Sequence, residues 1–145
     1  MGLGEGHRER PREHRRLHAA LWVAQVLLAA VFGFAGAMKA FSPIEELAKM
    51  LPWVSDDLTL LVRFIGVAEL AGAAGLLLPA ATRILPVLTP VAAVGLGLVM
   101  VLAMGFHAIR GEWTMLPVNL VLGAFATFVA WGRLTRAPIP PRSVS

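Results

Sequence analysis

The sequence has no cysteine and few charged residues for its length. Of 145 residues, only 15% are Asp, Glu, Lys or Arg, against about 25% in ordinary soluble domains. The lack of cysteine excludes disulfides, thiolate metal sites and a dithiol relay within this chain. Because 57% of the residues are hydrophobic, a soluble fold could not hide the apolar surface. The composition therefore indicates a membrane protein.

A basic folded surface is also missing, although the net charge is +4. The arginines and lysines lie in the N-terminal arm and at predicted helix ends, without interleaved aromatic residues. This pattern argues against nucleic acid as a partner. The lipid bilayer, and in particular an anionic cytoplasmic leaflet, is the better partner for this charge.

Four apolar stretches are each close to the ~20 residues that cross a hydrocarbon core. They run over residues 19–41, 58–78, 84–106 and 115–131. The predicted fold class is all-α, a polytopic four-helix membrane bundle with a short amphipathic helix between the first two spans. We expect residues 1–17 to be a disordered basic cytoplasmic arm, residues 18–133 the transmembrane domain, and residues 134–145 a disordered cytoplasmic tail.

The distribution of positive charge predicts the orientation. Nine Lys and Arg residues lie on the side of the two termini and three lie on the other side. By the positive-inside rule, both termini are expected to be cytoplasmic. The expected location is the plasma membrane of a bacterium, with four spans.

The first outer loop has the pattern of a short helix. Ser42, Pro43, Ile44 and Glu45 form the sequence of a capping box with proline at the first helical position. Apolar residues then recur at helical spacing as far as Leu51. We expect this helix to rest its apolar side on the membrane surface, either as a plain connector or as a lid over polar residues.

Polar side chains within the spans are costly and are therefore candidates for function. Topology places five of them in the outer half of the membrane: Lys39, Arg63, Glu69, His107 and Asn119. Arg63 and Glu69 are six residues apart, about 120° around a helix, so each is expected to have a partner on another helix. Small residues on the Glu69 face, such as Gly66, indicate that this carboxyl faces protein.

Each of these residues has a structural and a functional interpretation. Glu69 is either a carboxylate neutralised by Lys39 or Arg63, or a group that exchanges protons. His107 either caps its helix or carries protons, and it precedes a tight turn that ends in Glu112. Asn119 either fixes helix register or binds a ligand oxygen. One such His without a second His or Cys in place argues against a metal site, and we interpret Gln25 as a register residue outside the site.

The order of these residues resembles that of a known family. It is carried by Lys39, by the segment from Arg63 to Glu69 with its Leu-Ala-Gly continuation, by Leu-Leu-Pro79, by Phe106 to Glu112, and by Asn119-Leu. Over residues 21–133 the chain is similar to the DoxX-like family of four-helix membrane proteins. The resemblance implies a compact bundle. Some relatives are small subunits of thiosulfate:quinone oxidoreductases or of membrane-associated oxidative-stress assemblies.

Three functions are compatible with these residues. The first is a quinone-interacting or redox-associated membrane component, in which Lys39, Arg63, Asn119 and Glu112 bind a ligand and Glu69 with His107 moves protons. Here the cofactor would be a bound quinone, and redox or assembly subunits would be partners. The second is an enzyme that performs isomerisation, cyclisation or protonation on a lipophilic small molecule by acid/base chemistry. The third is a structural subunit of a membrane complex.

Overall fold

The computed structural model describes residues 10–143 as a bundle of helices without strands. Its helices are α1 (Arg10–Phe41), α2 (Ile44–Met50), α3 (Thr59–Thr82), α4 (Leu88–Ile109) and α5 (Leu116–Trp131). All of them except α2 belong to segments long and apolar enough to cross a membrane. The predicted all-α bundle with four spans and a short helix after the first span is therefore confirmed.

The bundle has two chemically different ends. The loop end carries α2 and the turn between α4 and α5, and the terminal end carries the start of α1 and the residues after α5. Within the bundle, α1 packs against α3 and α5, and α4 packs against the same two helices. The core between them is apolar and includes Leu28, Phe32, Leu76, Leu96 and Val129, each no more than 2% exposed.

The first helix begins earlier than the sequence analysis predicted. Residues 10–17, which we expected to belong to a disordered arm, form the first two turns of α1. Pro11 is tolerated because the N–H groups of the first helical turn have no partner within the helix. No further proline or glycine follows until Gly33, so nothing interrupts the helix. The rest of the predicted arm, residues 1–9, lies outside the described residues.

The segment after α5 is also more ordered than predicted. Gly132–Arg136 form one π-helical turn, and the side chain of Ala137 is fully buried. Further on, the Arg142 N–H donates to the Arg83 carbonyl at 3.1 Å. The expected disordered tail is thus tied to the end of α3 as far as residue 142, and residues 144–145 lie outside the described part of the chain.

The third span starts later than predicted, at Leu88 instead of Ile84. Arg83 and Leu85 have positive φ angles of 59° and 49°, a region that most side chains avoid. Pro86 follows directly and disfavours a helical Leu85. The chain therefore turns sharply between α3 and α4 before the helix can begin.

The short helix α2 is confirmed, but two details of its prediction are wrong. Pro43 is its N-cap and makes no side-chain capping bond, so the capping box does not form. Its apolar side also faces the bundle and not the membrane surface. Leu47 is 1% exposed and belongs to a cluster with Val54 and Val62 of α3. Burial against α3 removes this surface from solvent and from lipid alike, so α2 covers the loop end.

Candidate functional site

Lys39 and Glu69 form a buried ion pair between α1 and α3. The Lys39 ammonium donates to both carboxylate oxygens of Glu69, at 2.8 and 2.7 Å. The Glu69 side chain is only 4% exposed and that of Lys39 is 15% exposed. Of the two cationic partners that the sequence allowed for Glu69, the structure thus selects Lys39. One ammonium engages both oxygens, so the pair leaves little unused capacity on the carboxylate.

The close packing of α1 and α3 explains why this pair can form. A Cβ atom added to Gly66 would lie 2.7 Å from the Ala40 nitrogen, and one added to Gly36 would lie 2.8 Å from the Gly66 carbonyl oxygen. The two backbones therefore touch one helical turn away from Glu69. The predicted close approach on the Glu69 face is confirmed.

Arg63 supports the same helix pair through the backbone. Its Nη1 donates to the Lys39 carbonyl at 2.7 Å, near the end of α1, where carbonyl groups lack partners within the helix. Arg63 and Glu69 thus each contact α1 and do not pair with each other, as their spacing predicted. The positive charge of Arg63 also lies at the negative end of the helix dipole.

A second polar group forms at the end of α4. Nδ1 of His107 lies 2.6 Å from one Glu112 oxygen, and Arg110 Nε donates to the other at 2.8 Å. Because an ionised carboxylate only accepts hydrogen bonds, this contact places the imidazole proton on Nδ1. Gly111, with φ +72°, makes the turn that brings Glu112 back to its helix. The hydrogen bonds from Arg110 and then from His107 lower the pKa of Glu112 below its ordinary value.

Trp53 connects the loop segment to this second group. Its ring meets Phe106 edge-on at 5.6 Å between centroids and His107 at 6.3 Å. On its other side, Trp53 packs against the cluster that contains Leu47 and Val62. Trp53 is not among the residues predicted for the site. Its one sequence signal is a tryptophan directly after Pro52, in a loop for which both a plain connector and a lid over polar residues were expected.

Asn119 lies on α5 and is 8% exposed. Among the described residues, its Nδ2 atom is buried and has no hydrogen-bond partner. An amide nitrogen carries two N–H donors, so Asn119 is the unsatisfied member of the predicted set. Within the described residues, Nδ2 thus makes no hydrogen bond that would fix helix register, which was the structural interpretation of Asn119.

The six predicted site residues thus fall into separate sets. Lys39, Arg63 and Glu69 are joined between α1 and α3, and His107 is joined to Glu112 at the end of α4. Within residues 12–143, no hydrogen bond or ion pair links these two sets or links Asn119 to either. Their convergence on one ligand stays a prediction.

A further polar cluster at the terminal end was missed. Gln25, which is fully buried, donates to the Leu76 carbonyl at 2.7 Å and accepts from Arg133 Nε at 2.6 Å. The interpretation of Gln25 as a residue that links helices is consistent with these contacts. Arg133, in contrast, was used only as a positive charge for the orientation. In the sequence, Arg133 stands out only as a charged residue two positions after Trp131, at the end of an apolar span.

Among known proteins, the chain matches a family model. No curated protein and no solved structure matches the chain. The model of the DoxX-like family matches residues 23–129, which reach into all four spans and contain both polar groups of the loop end. Together with the four-helix bundle, this match shows that the chain belongs to the DoxX-like family of membrane proteins.

Proposed function

We propose that the protein is a quinone-interacting, redox-associated membrane component, with its ligand site inside the bundle toward the loop end. The observation that carries the proposal is the unpartnered amide of Asn119. A buried donor without an acceptor costs about 1–3 kcal/mol, and no water from the membrane interior offsets that cost. A ligand carbonyl would supply the acceptor.

The surroundings favour a planar lipophilic ligand. Met100, 4% exposed, faces α5 near Gly123, whose added Cβ atom would lie 3.4 Å from that of Met100. Methionine adapts its shape to flat ligands more easily than branched side chains do. A quinone combines such a ring with carbonyl acceptors. The aromatic cluster of Trp53, Phe106 and His107 closes the same end of the bundle.

The charged groups suit a supporting role. His107 and Glu112 share a proton-bearing contact at the membrane boundary, which suits proton exchange between water and a bound molecule. Lys39, Arg63 and Glu69 hold α1 against α3 and so position the walls of the site. Because the chain has no cysteine, electrons would reach a bound quinone from a partner subunit.

One observation favours a second candidate function, a structural subunit of a membrane complex. Lys39 and Glu69 satisfy each other between α1 and α3, as expected for a pair that fixes helix register and binds nothing else. In that case the protein would hold only bulk phospholipid. The two functions are separated by what remains bound after gentle purification.

The test is mass spectrometry of extracted lipids, comparing wild type with Asn119→Leu and with Thr127→Val. The control residue, Thr127, lies two turns further along α5, is exposed, and bonds only to its own helix. We expect quinone to be enriched in wild type and in the control variant, and to fall about tenfold in Asn119→Leu, the value of one hydrogen bond.

Thermal unfolding of the same samples separates ligand loss from misfolding. Nδ2 has no hydrogen-bond partner among the described residues. In the absence of quinone, Asn119→Leu should therefore unfold within a few degrees of wild type. Wild type that retains no quinone, when prepared with its partner subunits, would refute the proposed function and support the structural subunit.

A further inference from the structure

The terminal end contains a buried cation without a counter-charge. Arg133 is 3% exposed, and within residues 12–143 it forms no salt bridge with a carboxylate. Burial of an unpaired guanidinium is costly in protein and in membrane alike. The guanidinium lies over the Trp22 ring, 5.6 Å from its centroid, which stabilises the cation in part. The ring carries no net charge, so an anion at this position would still be favoured.

The hydrogen bonds of Arg133 to the described residues leave part of its guanidinium without an acceptor. Nε donates to Gln25, Nη1 approaches Nδ1 of His18 at 3.1 Å and the Ala137 carbonyl at 3.2 Å, and Nη2 has no partner in the described chain. All three acceptors are neutral. Arginine has five N–H donors, so at least the two on Nη2 are unused.

His18 is not always available as a hydrogen-bond acceptor for Arg133. The indole N–H of Trp22 donates to Nε2 of the same imidazole at 3.2 Å. A neutral imidazole has only one acceptor nitrogen, so it accepts from Trp22 or from Arg133 but not from both. The count of unsatisfied guanidinium donors thus rises to three whenever His18 accepts from Trp22.

Arg133 lines a cavity of about 450 Å³ at the same end of the bundle. The other walls are apolar, formed by Leu85, Val87 and Pro90 on the α4 side and by Leu134 and Ile139 on the tail side. The volume is within the range of sites for small ligands. The walls suit a hydrocarbon chain, and Arg133 is the one charged residue of the lining within the described part of the chain.

Two further arginines lie close in sequence to residues that line this cavity. Arg83 and Arg142 are joined by a backbone hydrogen bond and follow or precede lining residues by one or two positions. Both side chains are exposed. Such charges attract an anion before it reaches the buried guanidinium. Under the orientation that we predict, they face the anionic leaflet.

We propose that this cavity is a binding site for an anionic amphiphile, with its phosphate or carboxylate on Arg133 and its chain against the apolar walls. The site lies at the opposite end of the bundle from Asn119 and is independent of the proposed quinone site. A free phosphate ion would satisfy the guanidinium but leave the apolar walls unfilled, so the amphiphile is favoured.

Native mass spectrometry of the full chain tests the site. The protein is mixed with equal amounts of phosphatidylglycerol and phosphatidylcholine, or with inorganic phosphate alone. We expect phosphatidylglycerol adducts to exceed phosphatidylcholine adducts about tenfold, the value of a charge-assisted hydrogen bond. Inorganic phosphate alone should give no stable adduct. Equal retention of the two lipids by wild type, or an equally stable adduct with inorganic phosphate, would overturn the proposal.

Three variants locate the binding. Arg133→Gln should remove the preference for phosphatidylglycerol, whereas Arg136→Gln is the matched control, an arginine that stacks on Trp131 and does not line the cavity. If Arg133→Gln fails to fold, Val87→Phe still tests the site, since it fills the cavity without touching the hydrogen bonds of Arg133. Adducts unchanged in Val87→Phe, or lost equally in Arg136→Gln, would contradict the assignment.

Discussion

The ion pair of Lys39 and Glu69 joins α1 to α3 inside the bundle. Taking both charges out of water is costly, and their attraction roughly offsets that cost when the geometry is good. Here one ammonium reaches both oxygens of a carboxylate that is 4% exposed. The pair therefore contributes little net stability, but losing either partner would leave the other charge buried alone.

We predict a strong difference between single and double replacements of this pair. Lys39→Met or Glu69→Leu alone should lower the free energy of unfolding by about 3 kcal/mol, because each leaves an unpaired buried group. The double variant should lose less than the sum of the two. The measurement is equilibrium unfolding in mixed micelles, with Lys49→Met, an exposed lysine of α2, as the control that changes nothing. Additive single effects would show that the two residues do not interact.

Sequence reasoning located Glu69 better than it located its partner. The small residues around Glu69 predicted a protein-facing carboxyl, which the contact between Gly36 and Gly66 confirms. Whether Lys39 reaches Glu69 depends on how α1 is rotated against α3, and no periodicity in either helix determines that rotation. Arg133 was missed for a similar reason, because its burial depends on the segment after α5 folding back over it.

At the level of elements, α1 and α3 are matched by backbone shape more than by side-chain chemistry. Their contact at Gly36 and Gly66 leaves no room for a Cβ atom. Packing of this kind drives helix association in membranes, where lipid tails are as apolar as leucine. Two helical glycines of α4 differ: a Cβ atom at Gly95 or Gly105 would meet nothing within 4 Å.

Two alanine substitutions should therefore differ in their effect on stability. Gly66→Ala must separate α1 from α3 and should cost about 1–3 kcal/mol of unfolding free energy, as for other overpacked sites. Gly95→Ala should be neutral or slightly stabilising, since alanine favours helix and the site is open. Thermal unfolding in detergent measures both. A Gly66→Ala protein as stable as Gly95→Ala would show that the two backbones can move apart without cost.

The existence of α2 followed from sequence, but its surroundings did not. Apolar spacing from Ile44 to Leu51 was sufficient to predict the helix. That spacing is the same whether the apolar side faces lipid or protein. The packing of Leu47 against Val62 depends on where α3 begins, and on Trp53 reaching α4. An amphipathic pattern thus predicts a buried side without identifying its partner.

For the whole molecule, the four spans place the start of α1 and the segment after α5 at the same end of the bundle. Which end faces the cytoplasm is a prediction from charge alone. Because the natural chain has no cysteine, each introduced thiol gives an unambiguous label. Arg15 on the terminal end and Glu46 on the loop end are both exposed, so either accepts a cysteine without disturbing packing.

We expect Glu46→Cys to react with a membrane-impermeant maleimide in intact cells, and Arg15→Cys to react only after permeabilisation. The physical reason is the excess of Lys and Arg on the side of the termini, which resists translocation. Each variant serves as the control of the other, with the cysteine-free chain as the blank. Labelling of Arg15→Cys in intact cells would show that the terminal end faces the outside and that the predicted orientation is wrong.

The contact between the first and last helical turns has a consequence for engineering. His14 Nε2 lies 3.1 Å from the carbonyl oxygen of Arg136, so two segments more than a hundred positions apart in sequence are neighbours in space. A short peptide could join these ends into a circular chain without an additional membrane crossing. New ends could then be opened in the exposed turn at Gly111, and a reporter fused there would lie on the opposite face of the membrane.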